Sequence, residues 1–227
     1  MSRFSNVSRS AWAASVVVAG LSVGAVGATA AAVPASAATA AATSCPAVNV
    51  VFARGTFEAA GLGSVGTPFA SAVASDLPGL TVTDYAVNYA ASANQSSAGP
   101  GATDMSNHII SMAAMCPSTR YVIGGYSQGA SVTDIAIGIK TDLGTGTTIP
   151  TSLAPLVSAV VVFGNPLGLS HQTIAEDSPT YGPKSDTFCN TGDPVCGNGG
   201  NIAAHLEYAS NGDAASGAQF AANEVKA

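Results

Sequence analysis

Three residue types in this chain could together move an acyl group: a serine between glycines, an aspartate between cysteines and a histidine downstream of both. The pentapeptide G125-Y126-S127-Q128-G129 sits where the apolar run VIG gives way to a helical pattern. A serine on such a strand-to-helix turn is held in a strained backbone, and small neighbours let the turn close. Its hydroxyl would stand at the positive end of a helix, next to the backbone N–H of Gln128, a donor suited to an oxyanion. A serine hydroxyl is a weak nucleophile at neutral pH, so it needs a base, and the base needs an acid to orient it.

Three histidines are available. His108 falls inside a helical pattern and reads as solvent-facing, and His171 follows PLGLS and reads as a loop or helix-start residue. His205 follows both Ser127 and Asp193, giving the chain order Ser, Asp, His of a triad presented by an α/β-hydrolase sheet. Asp193 lies within CNTGDPVC, residues 189–196. A carboxylate that orients an imidazole must not swing, and a ring closed by Cys189 and Cys196 would hold its loop still. Asp177 and Asp186 also precede His205 and stay open as alternatives.

The elements that must position these groups are short apolar runs alternating with helical segments. VNVVFA (48–53), TVTDYAVNY (81–89), RYVIGGY (120–126) and SAVVVFG (158–164) predict strands, the near-continuous ones buried on both faces. Helices are predicted over 67–77, over 103–115 with Thr103 as cap, and over 128–140; 144–150 reads as a loop. Strands separated by helices imply right-handed crossovers, so the fold class is α/β, a three-layer sandwich with a mostly parallel central sheet.

The N-terminal 37 residues read as a secretory signal peptide: Arg3 and Arg9, an uncharged stretch from Ala11 to Val33, then PASAA with cleavage after Ala37. A retained membrane anchor is the competing reading of that stretch. Residues 38–44 read as a flexible leader and 45–227 as one domain, the size of a single ordinary core. All thirteen acidic residues but only five of seven basic ones lie beyond Ala37, a formal charge of −8 after cleavage. With no basic patch, nucleic acid is excluded as a partner, and anionic membrane surfaces are disfavoured. Cys45, Cys116, Cys189 and Cys196 form an even set in an exported chain and predict two disulfides. Of three connectivities, Cys45–Cys116 with Cys189–Cys196 is the simplest; a zinc site lacks a CxxC pair and clustered histidines. GLGSVG (61–66), with Asp84 beyond it, matches a dinucleotide fingerprint but starts eight residues past the nearest strand and reads as a flexible loop. Asn94-Gln95-Ser96 is a glycosylation sequon.

GYSQGA (125–130), CNTGDPVC (189–196) and His205 resemble the cutinase family of α/β-hydrolase serine esterases, particularly its actinobacterial members, and VVFARGTFE (50–58) resembles that family's first strand and oxyanion loop. The resemblance covers most of residues 45–227. It implies Ser127, Asp193 and His205 as the catalytic triad, with Thr56 and Gln128 as the oxyanion hole; Thr56 stands where many relatives carry serine. It also implies a minimal, lidless hydrolase with a shallow site between loops Ala90–Gly101 and Val195–Ala204, in which Val195 and Ile202 are the few apolar residues. Short to medium acyl esters are therefore the expected substrates, with polyester and cell-envelope lipid as further candidates. The enzyme is expected to need no cofactor and no metal, to act as a monomer and to be secreted, free or at the cell wall. An acetyl-polysaccharide esterase, or a catalytically silent surface antigen of the same fold, are the alternatives.

Overall fold

The computed structural model describes residues 44–197 and 199–227; the segment read as a signal peptide, 1–37, and residues 38–43 of the leader lie outside the described residues. Five strands form one sheet: β1 (Val48–Ala53), β2 (Val82–Ala86), β3 (Arg120–Tyr126), β4 (Val157–Phe163) and β5 (Ser185–Phe188). Their order is β2-β1-β3-β4-β5, and every neighbouring pair is parallel. The helices between them are α1 (Gly63–Asp76), α2 (Ala98–Met115), α3 (Gln128–Ala136), the short α4 (Ile174–Asp177) and α5 (Ile202–Leu206), and α6 (Asp213–Lys226). Among the described residues no helix is long and apolar enough to cross a membrane.

Alternation along the central strands sorts the core into two layers. Val51, Ile123, Val160 and Val162 face Met105 and Ile109 of α2 and Val132 of α3. Val50, Phe52, Val122, Val161 and Phe163 face Phe69 and Val73 of α1 and Ala218 and Ala222 of α6. Because both parities are covered, both must be apolar, and this is why these strands read as continuous hydrophobic runs. Fully burying each Val or Phe contributes about 1.5–3 kcal/mol, so strands β1, β3 and β4 anchor the molecule. The edge strand β2 is only partly covered, and it ends at Ala86, short of the predicted Tyr89.

Several helix limits differ from expectation. α1 starts at Gly63, so GLGSVG is not a free loop: its last four residues form the first turn of this helix. α2 starts at Ala98, which puts Thr103 inside it, its hydroxyl donating to the Gly99 carbonyl (3.2 Å) and accepting from the Thr147 N–H (2.9 Å). α3 ends at Ala136 rather than at residue 140, and Gly138 at φ 88° turns the chain away. One disulfide joins Cys45, ahead of β1, to Cys116 at the end of α2; the other joins Cys189 to Cys196 just beyond β5. The segments after β1, β3, β4 and β5 all emerge at the carboxyl edge of the sheet, the edge where open parallel sheets present ligand crevices.

Candidate active site

At that edge Ser127 adopts φ 56°, ψ −119°, a backbone conformation costing about 1–3 kcal/mol for a residue with a side chain. The flanking glycines make it attainable. A Cβ on Gly129 would lie 1.9 Å from the Ala53 carbonyl oxygen, and one on Gly125 would lie 2.0 Å from that of Gly129, so no larger residue fits either side of the turn. The Ser127 N–H donates to the Phe163 carbonyl of β4 (2.9 Å), locking the turn to the sheet. Its hydroxyl is thereby raised into a cleft of about 520 Å³.

The imidazole of His205, on α5, meets this hydroxyl: Nε2 lies 3.0 Å from Ser127 Oγ. Its Nδ1 lies 2.8 Å from Asp193 Oδ2. The geometry therefore brings together the three side chains picked out from chain order. The alternatives are elsewhere: Asp186 accepts from the N–H of its neighbour Thr187, and Asp177 closes α4. His171 ends a 3-10 turn, Pro166–Ser170, in the left-handed conformation and is exposed. His108 is not the solvent-facing residue expected. Its ring stacks on Tyr85 at 3.6 Å between centroids, and Nε2 lies 2.9 Å from Asn49 Oδ1.

Asp193 is fully buried, 0% exposed, yet its carboxyl is held below the ordinary value. Burial pushes it up, but three donors oppose that: the Tyr208 hydroxyl (2.6 Å) and His205 on Oδ2, and the Val195 N–H (2.7 Å) on Oδ1. The Cys189–Cys196 ring carries this arrangement. Within it the Asp193 N–H donates to Asn190 O, and the Asn190 amide reaches the Ala204 carbonyl (2.8 Å), tying the acid's loop to the helix of the base.

Tyr208 was not picked out from the sequence. It is fully buried, three residues beyond His205 and just past the end of α5, and also accepts from the Asn190 N–H (3.0 Å). Burial and the adjacent carboxylate raise its phenol above the ordinary tyrosine range, so it stays a donor throughout the working pH range. A tyrosine three residues after a candidate base is the sequence signal that could have found it.

Thr56 and Gln128, the expected oxyanion donors, lie on two segments. Gln128 opens α3, where the first N–H groups have no partner within the helix. Its buried side chain donates to the Ser92 carbonyl (2.9 Å) and accepts from Ser97 (3.4 Å), so it fastens the loop ahead of α2, which is shorter than the expected 90–101, to the start of α3. Thr56 follows β1 on a loop braced by Arg54, which donates to the carbonyls of Glu58 (2.8 Å) and Tyr89 (2.6 Å). The Glu58 carboxylate accepts from Gly55 N–H (2.5 Å) and Ser64 N–H (2.7 Å), linking that loop to α1. From the facing loop Gln95 donates its amide to Thr56 Oγ1 (3.1 Å). With its oxygen occupied as acceptor, the threonine keeps its own O–H proton for a different acceptor.

The cleft is more apolar than the two flanking loops suggested. Phe57, Leu143, Leu169 and Leu206 line it alongside Val195, and none of these four lies within 90–101 or 195–204. Phe57 is 82% and Leu206 67% exposed, so the apolar rim faces solvent.

The cutinase family model matches residues 44–225. A cutinase of Kineococcus radiotolerans is 59% identical over 188 residues, 82% of this chain and 64% of that protein, so the chain spans just under two thirds of its length. Carboxylesterase Culp1 of Mycobacterium tuberculosis is 42% identical over 81% of this chain and 84% of its own. Among solved structures, an acetylxylan esterase superposes with a TM-score of 0.71 at 28% identity, over 80% of this chain and all of that one. A Trichoderma reesei cutinase in complex with a phosphonate inhibitor gives 0.60 at 30% identity, over 80% and 77%. On matches of this extent, the chain belongs to the cutinase family.

Proposed function

We propose that this protein is an exported serine carboxylic-ester hydrolase that works through an acyl-enzyme on Ser127. The observation that carries the reading is the unbroken hydrogen-bonded line from Asp193 through His205 to Ser127. His205 Nε2 takes the Ser127 proton as the hydroxyl attacks the ester carbonyl, and Asp193 supports the imidazolium. The oxygen that becomes negative is held by the Gln128 N–H and the Thr56 hydroxyl. The imidazolium then protonates the departing alcohol. Water, deprotonated by the same nitrogen, releases the acid and restores Ser127.

The cleft's bounded volume, about 520 Å³, favours short to medium acyl chains. The family relatives named as cutinase and carboxylesterase agree with ester hydrolysis. The structural likeness to acetylxylan esterase supports a second reading, an esterase that deacetylates polysaccharide. Hydrolysis of p-nitrophenyl butyrate by the wild type and its loss in Ser127→Ala test the proposal, with a fluorophosphonate probe expected to label Ser127. A folded protein that neither cleaves the ester nor takes the label would point instead to a silent binding protein. Release of acetate from acetylated xylan faster than butyrate cleavage would select the polysaccharide reading.

A further inference from the structure

His205 sits on α5, a helix of only five residues. A single turn of this length does not hold itself together in water, so its place is set by the groups that grip it from outside. At its start the Asn201 side chain accepts from the Ala203 N–H (3.1 Å). At its end, where helix carbonyls lack partners of their own, the Asn190 amide donates to the Ala204 carbonyl and the Tyr126 hydroxyl donates to the His205 carbonyl (2.8 Å each). Asn190 lies within the Cys189–Cys196 ring, and the Asn201 N–H donates to Gly192 of that ring (2.9 Å), so both answer to the same loop. Tyr126 does not. It is the last residue of β3, a strand bonded to a neighbour on each side, and it directly precedes Ser127.

The Tyr126 side chain is buried, and its ring lies 5.0 Å from that of His205 between centroids. A Cβ on Gly55 would come within 2.7 Å of the same ring, so Tyr126 packs against both the imidazole and the loop that carries Thr56. Gly164, at φ 57°, also borders the imidazole: a Cβ there would lie 2.7 Å from His205 Cε1. The imidazole therefore has little room to adjust by itself, and the 3.0 Å between its Nε2 and Ser127 Oγ follows the position of the α5 backbone. Burial, reinforced by the Glu58 and Asp193 carboxylates, raises the Tyr126 phenol above the ordinary tyrosine range, so it stays a donor wherever the enzyme works.

We infer that Tyr126 is a positioning residue for ester cleavage: its hydroxyl ties the backbone of the base to the strand that presents the nucleophile, and so sets Nε2 of His205 against Oγ of Ser127. The inference rests on the esterase reading of Ser127 and adds a residue to it. Its kinetic consequence depends on the leaving group. A displaced imidazole takes the serine proton less well from any substrate, but it also protonates the departing alcohol less well, and only an alkoxide needs that second transfer. The p-nitrophenolate ion departs unprotonated.

The test is the ratio of kcat/KM for ethyl butyrate to that for p-nitrophenyl butyrate in wild type, Tyr126→Phe and Tyr121→Phe. The two esters share an acyl group and differ in the leaving group, and unfolded protein contributes to neither rate, so the ratio does not depend on the fraction folded. Phenylalanine at 126 keeps the ring and removes only the tie. Tyr126→Phe should lose about tenfold on p-nitrophenyl butyrate and about a hundredfold on ethyl butyrate, which lowers the ratio about tenfold. Tyr121 supplies the control: it lies on the same strand, is fully buried, and its hydroxyl has no partner among the described residues, so its loss should leave the ratio unchanged. A wild-type ratio in Tyr126→Phe, or an equal fall in Tyr121→Phe, would overturn the positioning role while leaving the esterase reading in place. A wild type that cleaves neither ester would overturn the esterase reading and the positioning role with it.

Discussion

Replacing Tyr208 with Phe would separate the two devices that fix the Asp193 carboxylate. The change removes one oxygen, with the ring left to pack in place against Tyr126 and Phe163. That oxygen is 2.6 Å from Asp193 Oδ2 and 3.0 Å from the Asn190 N–H. A hydrogen bond to a buried charged group is worth about 1.5–3 kcal/mol, and stranding the Asn190 N–H costs about 1–3 kcal/mol more. The total, about 2.5–6 kcal/mol, should lower Tm by about 5–24 °C in a domain of this size. The effect on rate is smaller, because the carboxylate keeps its His205 and Val195 partners: about a tenfold fall in kcat, with KM nearly constant, as the less restrained acid misorients the imidazole. The acid limb of stability gives a readout that simple packing would not. The folded carboxyl of Asp193 is depressed, so its contribution is present above the unfolded value near 3.9 and is lost as pH falls through the folded value. Without Tyr208 the folded value rises toward the unfolded one, so less stability is lost on acidification and the loss is complete at a higher pH. Steady-state kinetics on p-nitrophenyl butyrate and thermal melts from pH 3 to 8 supply the numbers. A variant with wild-type kcat and an unshifted acid transition would show that the disulfide ring alone holds the carboxylate, and the positioning role of Tyr208 would be wrong.

Opening the small ring by the double substitution Cys189→Ser and Cys196→Ser removes about 2–3 kcal/mol of loop constraint. It should reduce kcat about tenfold or more while far-ultraviolet circular dichroism stays native; full turnover in the opened protein would contradict the ring's role. Gln95→Ala takes away the donor that occupies Thr56 Oγ1, so kcat should fall about tenfold through a less well directed oxyanion donor, and an unchanged kcat would show that the threonine hydroxyl is oriented by other means. Asp134, sealed within α3, has its carboxyl raised well above the usual range by burial, partly offset by the Asn165 amide (3.1 Å) and reinforced by Asp177, and its Oδ2 has no partner. A raised carboxyl favours the fold fully below the unfolded value near 4 and loses that advantage as pH climbs toward the folded one. Asp134→Asn should therefore raise Tm increasingly from pH 5 to 9 in thermal melts, and a gain that is equal at all pH values would exclude the titration as its cause.

The parts of this molecule that were legible in its sequence are those fixed by local constraint. The strands β1, β3 and β4 announce themselves because burial on both faces demands continuous apolar residues. Ser127 is legible because its strained turn excludes side chains at residues 125 and 129, a steric demand written into adjacent positions. Asp193 and His205 could be ordered along the chain, but their meeting depends on β5 and α5 lying at the same sheet edge, and neither element has strong periodicity of its own. The missed residues share one property: each acts through a partner distant in sequence. Gln95 reaches Thr56 across 39 residues, Arg54 reaches Tyr89 across 35, and the apolar wall of the cleft is drawn from Phe57, Leu143, Leu169 and Leu206 on four separate segments. Spacing rules describe one element at a time, so they cannot register a cleft assembled from the ends of several. This also explains why the helix limits slipped. The α2 helix extends back to Ala98, and just ahead of it Ser92 and Ser97 are both hydrogen-bonded to the distant Gln128 side chain. The same side chain that begins α3 thus shapes the loop ahead of α2, and a change at Gln128 would disturb both at once.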